Sequence, residues 1–395
     1  MRGVPSSLAI IGAGPAGIGL ALALRQRLPE VSLEIYDAAI PRSTDDRPRI
    51  GESLPPGASA RIEALGINAG RLLTDHLPFA GVSSLWGSPI PGHQDFWTAA
   101  RGPGIHLDRT LFDHQLRQLA EAAGIAIHVG HRLVAVQSGD TADPAGSGSN
   151  SDMRLVFSCK GDAGNIHRKT VSCAFAVDAS GVRAVLARRL GVARNILDRL
   201  VAISAILACP PEDCLMQGAR GRLMAVRYGW WYAAPMPGGR WHVTLVSDRQ
   251  AIRDQGLERN ENWTRALEQA SWLFAQLPAA VREGARAASL VHRSAPSAIL
   301  SRVQGTNWLA LGDAASSYDP LTSAGISKAL EQADQAARVI AERAESGLCA
   351  PLARYEEAVF AAFRQYAVIR REFYQQAHAR YPDAPFWRRR LGLAG

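Results

Sequence analysis

Three glycines in six positions, Gly12-Ala13-Gly14-Pro15-Ala16-Gly17, directly follow the apolar run Leu8-Ala9-Ile10-Ile11. At this spacing glycine permits a tight turn, and backbone N–H groups can approach a pyrophosphate at the positive end of the helix that the loop opens. Such a loop alone is a weak signal. Here Asp37 ends the next strand-like stretch about 20 residues beyond Gly17, where a carboxylate can accept ribose hydroxyls. A tight turn without a ligand would leave that acid unexplained, so the chain reads as a dinucleotide-binding protein.

Two later segments carry related chemistry. Ala176-Val177-Asp178-Ala179-Ser180-Gly181 is a strand running into a glycine turn, which by itself suits any crossover. Leu311-Gly312-Asp313-Ala314-Ala315 precedes Asp319-Pro320-Leu321-Thr322-Ser323-Ala324-Gly325-Ile326, which opens a helix. A carboxylate at Asp313 can bind polyol hydroxyls. The free N–H groups of the helix start around Pro320, Gly325 and Ile326 can steady negative charge on a reduced ring system.

Aromatic residues supply candidates for a substrate pocket. Trp230 and Tyr232 share one face of a strand and Trp231 takes the other, so the first pair can line a pocket or pack a core. Tyr318 lies beside the helix start and Glu52 in the loop Arg49-Ile50-Gly51-Glu52-Ser53. Either can orient a substrate or shuttle a proton, with a structural role as the alternative. His93, His106 and His114 lack metal-ligand spacing and read as surface or capping residues. No metal site and no Ser-His-Asp arrangement is discernible. Cys159, Cys173, Cys209, Cys214 and Cys349 are scattered and odd in number, which suits reduced thiols.

These groups need elements to position them. The pattern predicts a βαβ unit from Leu8 to Asp37, with a helix over 15–27 stopped by Pro29. A helix over 107–123 has Asp108 as N-cap and Gly124 at its end. A strand pair follows at 125–137, a Gly/Ser-rich hairpin loop at 138–152 and a buried strand at 171–178. An antiparallel sheet is expected from 198–208, 222–236 and 241–247, and helices over 323–345 and 351–380.

The chain has 395 residues, 47% of them hydrophobic, and no uninterrupted apolar run of membrane-spanning length. The start Met1-Arg2-Gly3-Val4-Pro5 lacks the features of a secretory signal, so a cytoplasmic location is expected. Net charge is +8 and almost all positive charge is arginine, the lysines being Lys160, Lys169 and Lys328. No nucleic-acid module accompanies Arg370-Arg371 or Arg388-Arg389-Arg390. These runs read as a solvated face or a docking patch for an acidic partner.

With these motifs in order, and Arg109 and Asp113 on the intervening helix, the chain resembles the flavoprotein monooxygenase and tryptophan-halogenase superfamily over nearly its whole length. The resemblance implies an α/β, glutathione-reductase-like FAD-binding Rossmann fold with an antiparallel-sheet substrate lobe and C-terminal helices. FAD-binding parts would occupy residues 1–80, 106–190 and 301–345, the substrate lobe 81–105 and 191–300, and a helical region 346–395. FAD would be held by Gly12, Gly14, Pro15, Ala16, Gly17, Asp37, Arg49, Ser53, Arg109, Gly312, Asp313, Pro320, Gly325 and Ile326, with adenine beside the backbone of Leu133.

Gly51-Glu52-Ser53 and Gly229-Trp230-Trp231-Tyr232-Ala233-Ala234-Pro235 look like halogenase segments. The lysine that receives hypohalous acid in halogenases should follow the first, yet residues 54–159 contain none, and Thr322 stands where the companion glutamate belongs. Residues 312–330 and the stretch Phe373-Tyr374 to Phe386-Trp387-Arg388-Arg389 resemble LodB-like flavoproteins, including GoxB and QhpG, which mature quinone-cofactor oxidases by hydroxylating a tryptophan of a partner protein. That resemblance implies an FAD monooxygenase using O2, with NAD(P)H or a separate flavin reductase as electron source, and an aromatic substrate or partner-protein precursor. A flavin-bearing maturation chaperone, a small-molecule hydroxylase and a prenyl reductase are the other readings.

Overall fold

A continuous apolar run closed by a glycine turn belongs at the centre of a parallel sheet, and Ser7–Ile11 takes that place. In the computed structural model, residues 6–40, 53–96, 102–137, 152–160, 165–210 and 219–393 are described. The central sheet runs in the order Gln304–Gly305, Trp308–Ala310, Phe175–Asp178, Ser7–Ile11, Ser32–Tyr36, Ala126–His128. All neighbours are parallel except the first pair. The helix Pro15–Arg27 is buried from Ala16 to Leu24, wedged between this sheet and the helix Gly325–Ser346.

Two expectations are corrected by sheet membership. Ala126–His128 and His131–Gln137 do not pair with each other: the first is an edge of the central sheet, and the second pairs with Met153–Lys160. The stretch 171–178 likewise divides at Ala174, with Ile166–Cys173 ending one sheet and Phe175–Asp178 entering another. Periodicity reports that a segment is extended, while the sheet it joins depends on contacts distant in sequence.

The second large sheet has eight strands, in the order Ser316–Ser317, Val291–Leu300, Arg194–Ala208, Arg240–Asp248, Gly229–Met236, Arg220–Val226, Gly81–Leu85, Gly92–Asp95. The expected strand 222–236 is a hairpin of two strands. One face of the sheet, bearing Trp231, Trp241, Val243 and Leu245, packs on short helices between Arg249 and Gly284 that the periodicity reading did not separate. Trp231 and Trp263 meet there edge-on, with centroids 5.2 Å apart. The opposite face turns toward the flavin-motif segments.

The helices Ala350–Arg380 and Pro385–Arg390 fasten this sheet to the helix-opening motif. Arg370 and Arg390 are buried and both pair with Asp198; Arg390 also meets Asp248 at 2.9 Å, and Arg389 meets Asp248 at 2.6 Å. Arg370 Nε lies 3.4 Å from Asp319 Oδ2, which also accepts a hydrogen bond from the Tyr374 hydroxyl. These contacts correct the reading of a solvated or docking face for Arg370 and Arg390, while Arg371 and Arg389 are exposed. Buried guanidinium groups require partners, and acids distant in sequence supply them.

Cys209 is buried and disulfide-bonded, which corrects the expectation of reduced thiols there, since counting cysteines over a whole chain does not see one local pairing. Cys159, Cys173 and Cys349 are free. Among the described residues no helix is long and apolar enough to cross a membrane, and no group of His, Cys, Asp or Glu is placed to hold a metal.

Candidate active site

The first glycine loop is built for an anionic guest. Gly12 has φ +114°, and a Cβ there would stand 2.4 Å from the Ala179 carbonyl oxygen. At Gly17 a Cβ would stand 2.0 Å from the Gly12 carbonyl oxygen, so these two glycines serve backbone packing. Gly14 differs, since a Cβ there would meet no protein atom within 4 Å. It caps the helix Pro15–Arg27 without a side-chain hydrogen bond, so the free N–H groups of the first turn face an open cradle. Asp37 stands beside it: Oδ2 accepts from Ala13 N at 3.1 Å and Oδ1 from Ala39 N at 2.8 Å, which leaves lone pairs for a ribose. Leu133 is buried on the strand His131–Gln137. Asp178 is also buried, accepting from Ser180 and from Ala187 N, and has a local capping role.

A cavity of about 430 Å³ lies between one face of the eight-stranded sheet and the segments that carry Arg109, Val182 and Asp313 to Gly325. Its cofactor-side wall includes Arg109, Asp313, Tyr318, Pro320 and Gly325. Arg109 pairs with Asp113 one helical turn on, at 3.3 Å. Gly312 has φ +62° and donates its N–H to Gln332 Oε1 at 2.7 Å, which directs the Asp313 side chain outward. Lys328 Nζ holds that carboxylate at 2.8 Å, donates also to the Ser316 carbonyl, and sits 4.3 Å from the centre of the Tyr318 ring. Tyr318 stacks on Tyr366 with centroids 4.1 Å apart. The turn Pro320–Thr322 and the uncapped start of the helix Gly325–Ser346 open onto the cavity, while Ile326 is buried behind it. Phosphate cradle, polyol acid and helix terminus together fit FAD. Arg49 and Glu52 lie outside the described residues.

The opposite wall is one face of the eight-stranded sheet. Alternation along Gly229–Met236 sends Trp230 and Tyr232 into the cavity, and alternation along Arg240–Asp248 adds His242, Thr244 and Val246. Ser204 joins them across the ladder, hydrogen-bonded to Thr244. Behind Tyr232 a buried chain of polar groups runs inward. Ser53 Oγ lies 2.6 Å from the Tyr232 hydroxyl and 2.7 Å from His106 Nδ1, and His106 Nε2 lies 3.3 Å from the Ala219 carbonyl oxygen. Ser53, expected at the cofactor, lines the cavity and also stands between these two side chains.

His106 is 2% exposed, which corrects its reading as a surface or capping residue: the small sheet of Ser53–Leu54, Gly104–His106 and Leu77–Phe79 folds it inward. Burial, with the Arg222 cation nearby, pushes its pKa down to about 3 despite the Ala219 contact. Burial alone takes His242 down to about 4, so both rings are neutral near pH 7. Trp230 Nε1 and His242 Nε2 are buried without a hydrogen-bond partner among the described residues. Sequence reasoning missed His106, His242 and Ser204. The shared strand parity of His242 and Thr244 was the available signal for the second.

Beside the cavity mouth, sharing Ser294 and Pro296 with it, is a smaller recess of about 110 Å³ lined by Arg194, Arg199 and Arg249. Ile196, 39% exposed, also lines the recess, next to a β-bulge between Ile196 and Asp198. Among the described residues Arg199, Arg249 and Arg293 have no carboxylate partner at ion-pair distance.

Comparison with known proteins agrees with this architecture. The family model described as tryptophan halogenase matches residues 88–392. The chain is 26% identical to the putative FAD-dependent oxidoreductase LodB of Marinomonas mediterranea, over 96% of this chain and 95% of the relative. Among solved structures, the flavin-dependent halogenase CmlS superposes with a TM-score of 0.80 at 25% identity, covering 99% of this chain and 68% of that one. The peptidyl tryptophan dihydroxylase QhpG, essential for tryptophylquinone cofactor biogenesis, superposes with a TM-score of 0.72 at 22% identity, covering 98% of this chain and 78% of that one. With the family model spanning most of its length, the chain belongs to the tryptophan halogenase family of flavin-dependent oxidoreductases.

Proposed function

We propose that this protein is an FAD-dependent monooxygenase that hydroxylates an electron-rich aromatic ring, and that the ring is a tryptophan side chain of a partner oxidase precursor. The observation that carries the reading is the cavity itself: a cofactor wall with Asp313 and a helix terminus faces an aromatic wall of Trp230 and Tyr232 across a ring-sized space. Bound FAD would supply, once reduced and with O2, the oxidising chemistry. The residues of this chain would bind the pyrophosphate at Gly14, anchor the polyol at Asp313, exclude water and orient the ring.

Hydroxylation is favoured over halogenation by the lysines. None occurs between residues 54 and 159, and Lys328 has its Nζ engaged by Asp313 and the Ser316 carbonyl. A polypeptide substrate is favoured over a small molecule by the recess beside the cavity, where Arg199 and Arg249 share the lining with the part-exposed Ile196, and by Arg293 in the cavity wall. Cations without a carboxylate partner among the described residues, beside an apolar side chain, suit an acidic segment of chain.

The test is incubation of the FAD-loaded protein with NAD(P)H, a flavin reductase, ¹⁸O2 and a precursor polypeptide, followed by mass spectrometry of the precursor. Incorporated label on tryptophan is the expected result. Tight binding without label would make the protein a maturation chaperone, chloride-dependent mass would restore halogenation, and a reduced alkene in place of label would indicate a prenyl reductase. Label on free aromatics but not on the precursor would indicate a small-molecule hydroxylase.

A further inference from the structure

We infer that Tyr232 reads a hydrogen-bond donor on the substrate ring, because the groups behind it hold its phenol oxygen as an acceptor toward the cavity. This rests on the aromatic-hydroxylase reading and specifies which aromatic rings the site takes.

His106 Nε2 faces the Ala219 carbonyl oxygen at 3.3 Å, and a carbonyl has no proton to give, so Nε2 carries the hydrogen. In a neutral imidazole the other nitrogen is then an acceptor, and Ser53 Oγ, at 2.7 Å, donates to Nδ1. The single proton of Ser53 is thereby used. The Tyr232 hydroxyl at 2.6 Å donates to Ser53 in turn, leaving only oxygen lone pairs for a guest. Tyr232 and its hydrogen-bond partner Ser53 both line the cavity, which puts the bonded pair of hydroxyls at the wall where a ring would lie.

The polarity would reverse only if His106 became an imidazolium. Both ring nitrogens would then donate, Ser53 would donate to Tyr232, and the phenol proton would point at the guest. Burial and the neighbouring Arg222 cation oppose that state. In the arrangement with neutral His106 the phenol oxygen accepts from an indole N–H or phenol O–H and orients it.

The probes are indole and benzofuran, which have nearly the same shape but differ in that only indole carries a donor. Binding to the FAD-loaded protein is read from perturbation of the flavin absorbance, without turnover. The wild type should bind indole about tenfold more tightly than benzofuran, roughly one hydrogen bond's worth. Tyr232→Phe should bring the ratio close to one with FAD content retained. Ser53→Ala frees the phenol proton, so it should lower the ratio and strengthen benzofuran binding in absolute terms. An unchanged ratio in Tyr232→Phe, or a wild type preferring benzofuran, overturns the inference, and if Tyr232→Phe does not fold, the direction of the benzofuran change in Ser53→Ala decides. Because no turnover is involved, this inference and hydroxylation can fail separately.

Discussion

Lys328 Nζ donates a hydrogen bond to Asp313 Oδ1 across 2.8 Å, although the lysine is buried and the acid is half-exposed at the cavity. The helix Gly325–Ser346 brings this lysine to the acid of the Gly-Asp turn. The same ammonium group satisfies the Ser316 carbonyl and lies against the Tyr318 ring.

Lys328→Met removes the donor and leaves the carbonyl and the carboxylate without it. The expected loss is about 1–3 kcal/mol of folding stability, measured by denaturant unfolding, together with weaker retention of FAD as the Asp313 side chain loses its fixed direction. A variant with wild-type stability and full FAD content would show that the contact is incidental.

Gly14→Ala and Gly17→Ala separate cofactor binding from folding. At Gly17 the new methyl group overlaps the Gly12 carbonyl oxygen, so this variant should be poorly folded. Gly14 has φ −85° and open space before it, so Gly14→Ala should fold with near wild-type stability. Its methyl group would enter the phosphate cradle, and FAD affinity, measured by titration of the apoprotein, should fall at least about tenfold. Equal FAD affinity in Gly14→Ala would place the pyrophosphate elsewhere.

The buried histidines set the acid limb of stability. His106 and His242 have folded pKa values of about 3 and about 4, below the ordinary 6.5. Between these values and about 6.5 the unfolded chain binds protons that the folded chain does not, so stability is full above that window and falls as pH drops through it. By pH 5 each contributes a loss of about 2 kcal/mol. Unfolding curves at pH 7 and pH 5 should show a smaller difference for the His106→Gln, His242→Gln double variant than for wild type, and identical differences would contradict the assignment.

The arginine-lined mouth predicts salt-dependent capture of an acidic polypeptide. Arg199→Glu with Arg249→Glu should raise KM for a precursor at least about tenfold at low ionic strength with little change in kcat, and the difference should shrink toward 0.5 M salt. Turnover of free tryptophan should be unaffected, because both residues line the outer recess and not the ring cavity. A kcat effect with unchanged KM would count against docking at this place.

Much of the fold was legible because its signals are local. The apolar run before Gly12, the acid at Asp37, and Asp108 capping the helix Arg109–Ala122 by accepting from Thr110 N and Leu111 N each follow from residues a few positions apart. The alternation that separates Trp230 and Tyr232 from Trp231 is equally local. Within the arginine runs Arg370 and Arg390 were misread because their partners, Asp198 and Asp248, stand more than 100 residues away in sequence.

The sequence by itself determined a strand-loop-helix nucleotide fold, the glycines that only backbone packing or a phosphate requires, and the strand parity that puts aromatic rings on one face. Tertiary structure alone decided that Ser53, His106 and Tyr232 form one hydrogen-bonded chain, from strands of two different sheets. The reason is physical: periodicity is a property of neighbouring residues, whereas the burial that keeps His106 neutral, and so sets the polarity of Tyr232, arises from packing between segments that approach only when the sheets close around the cavity.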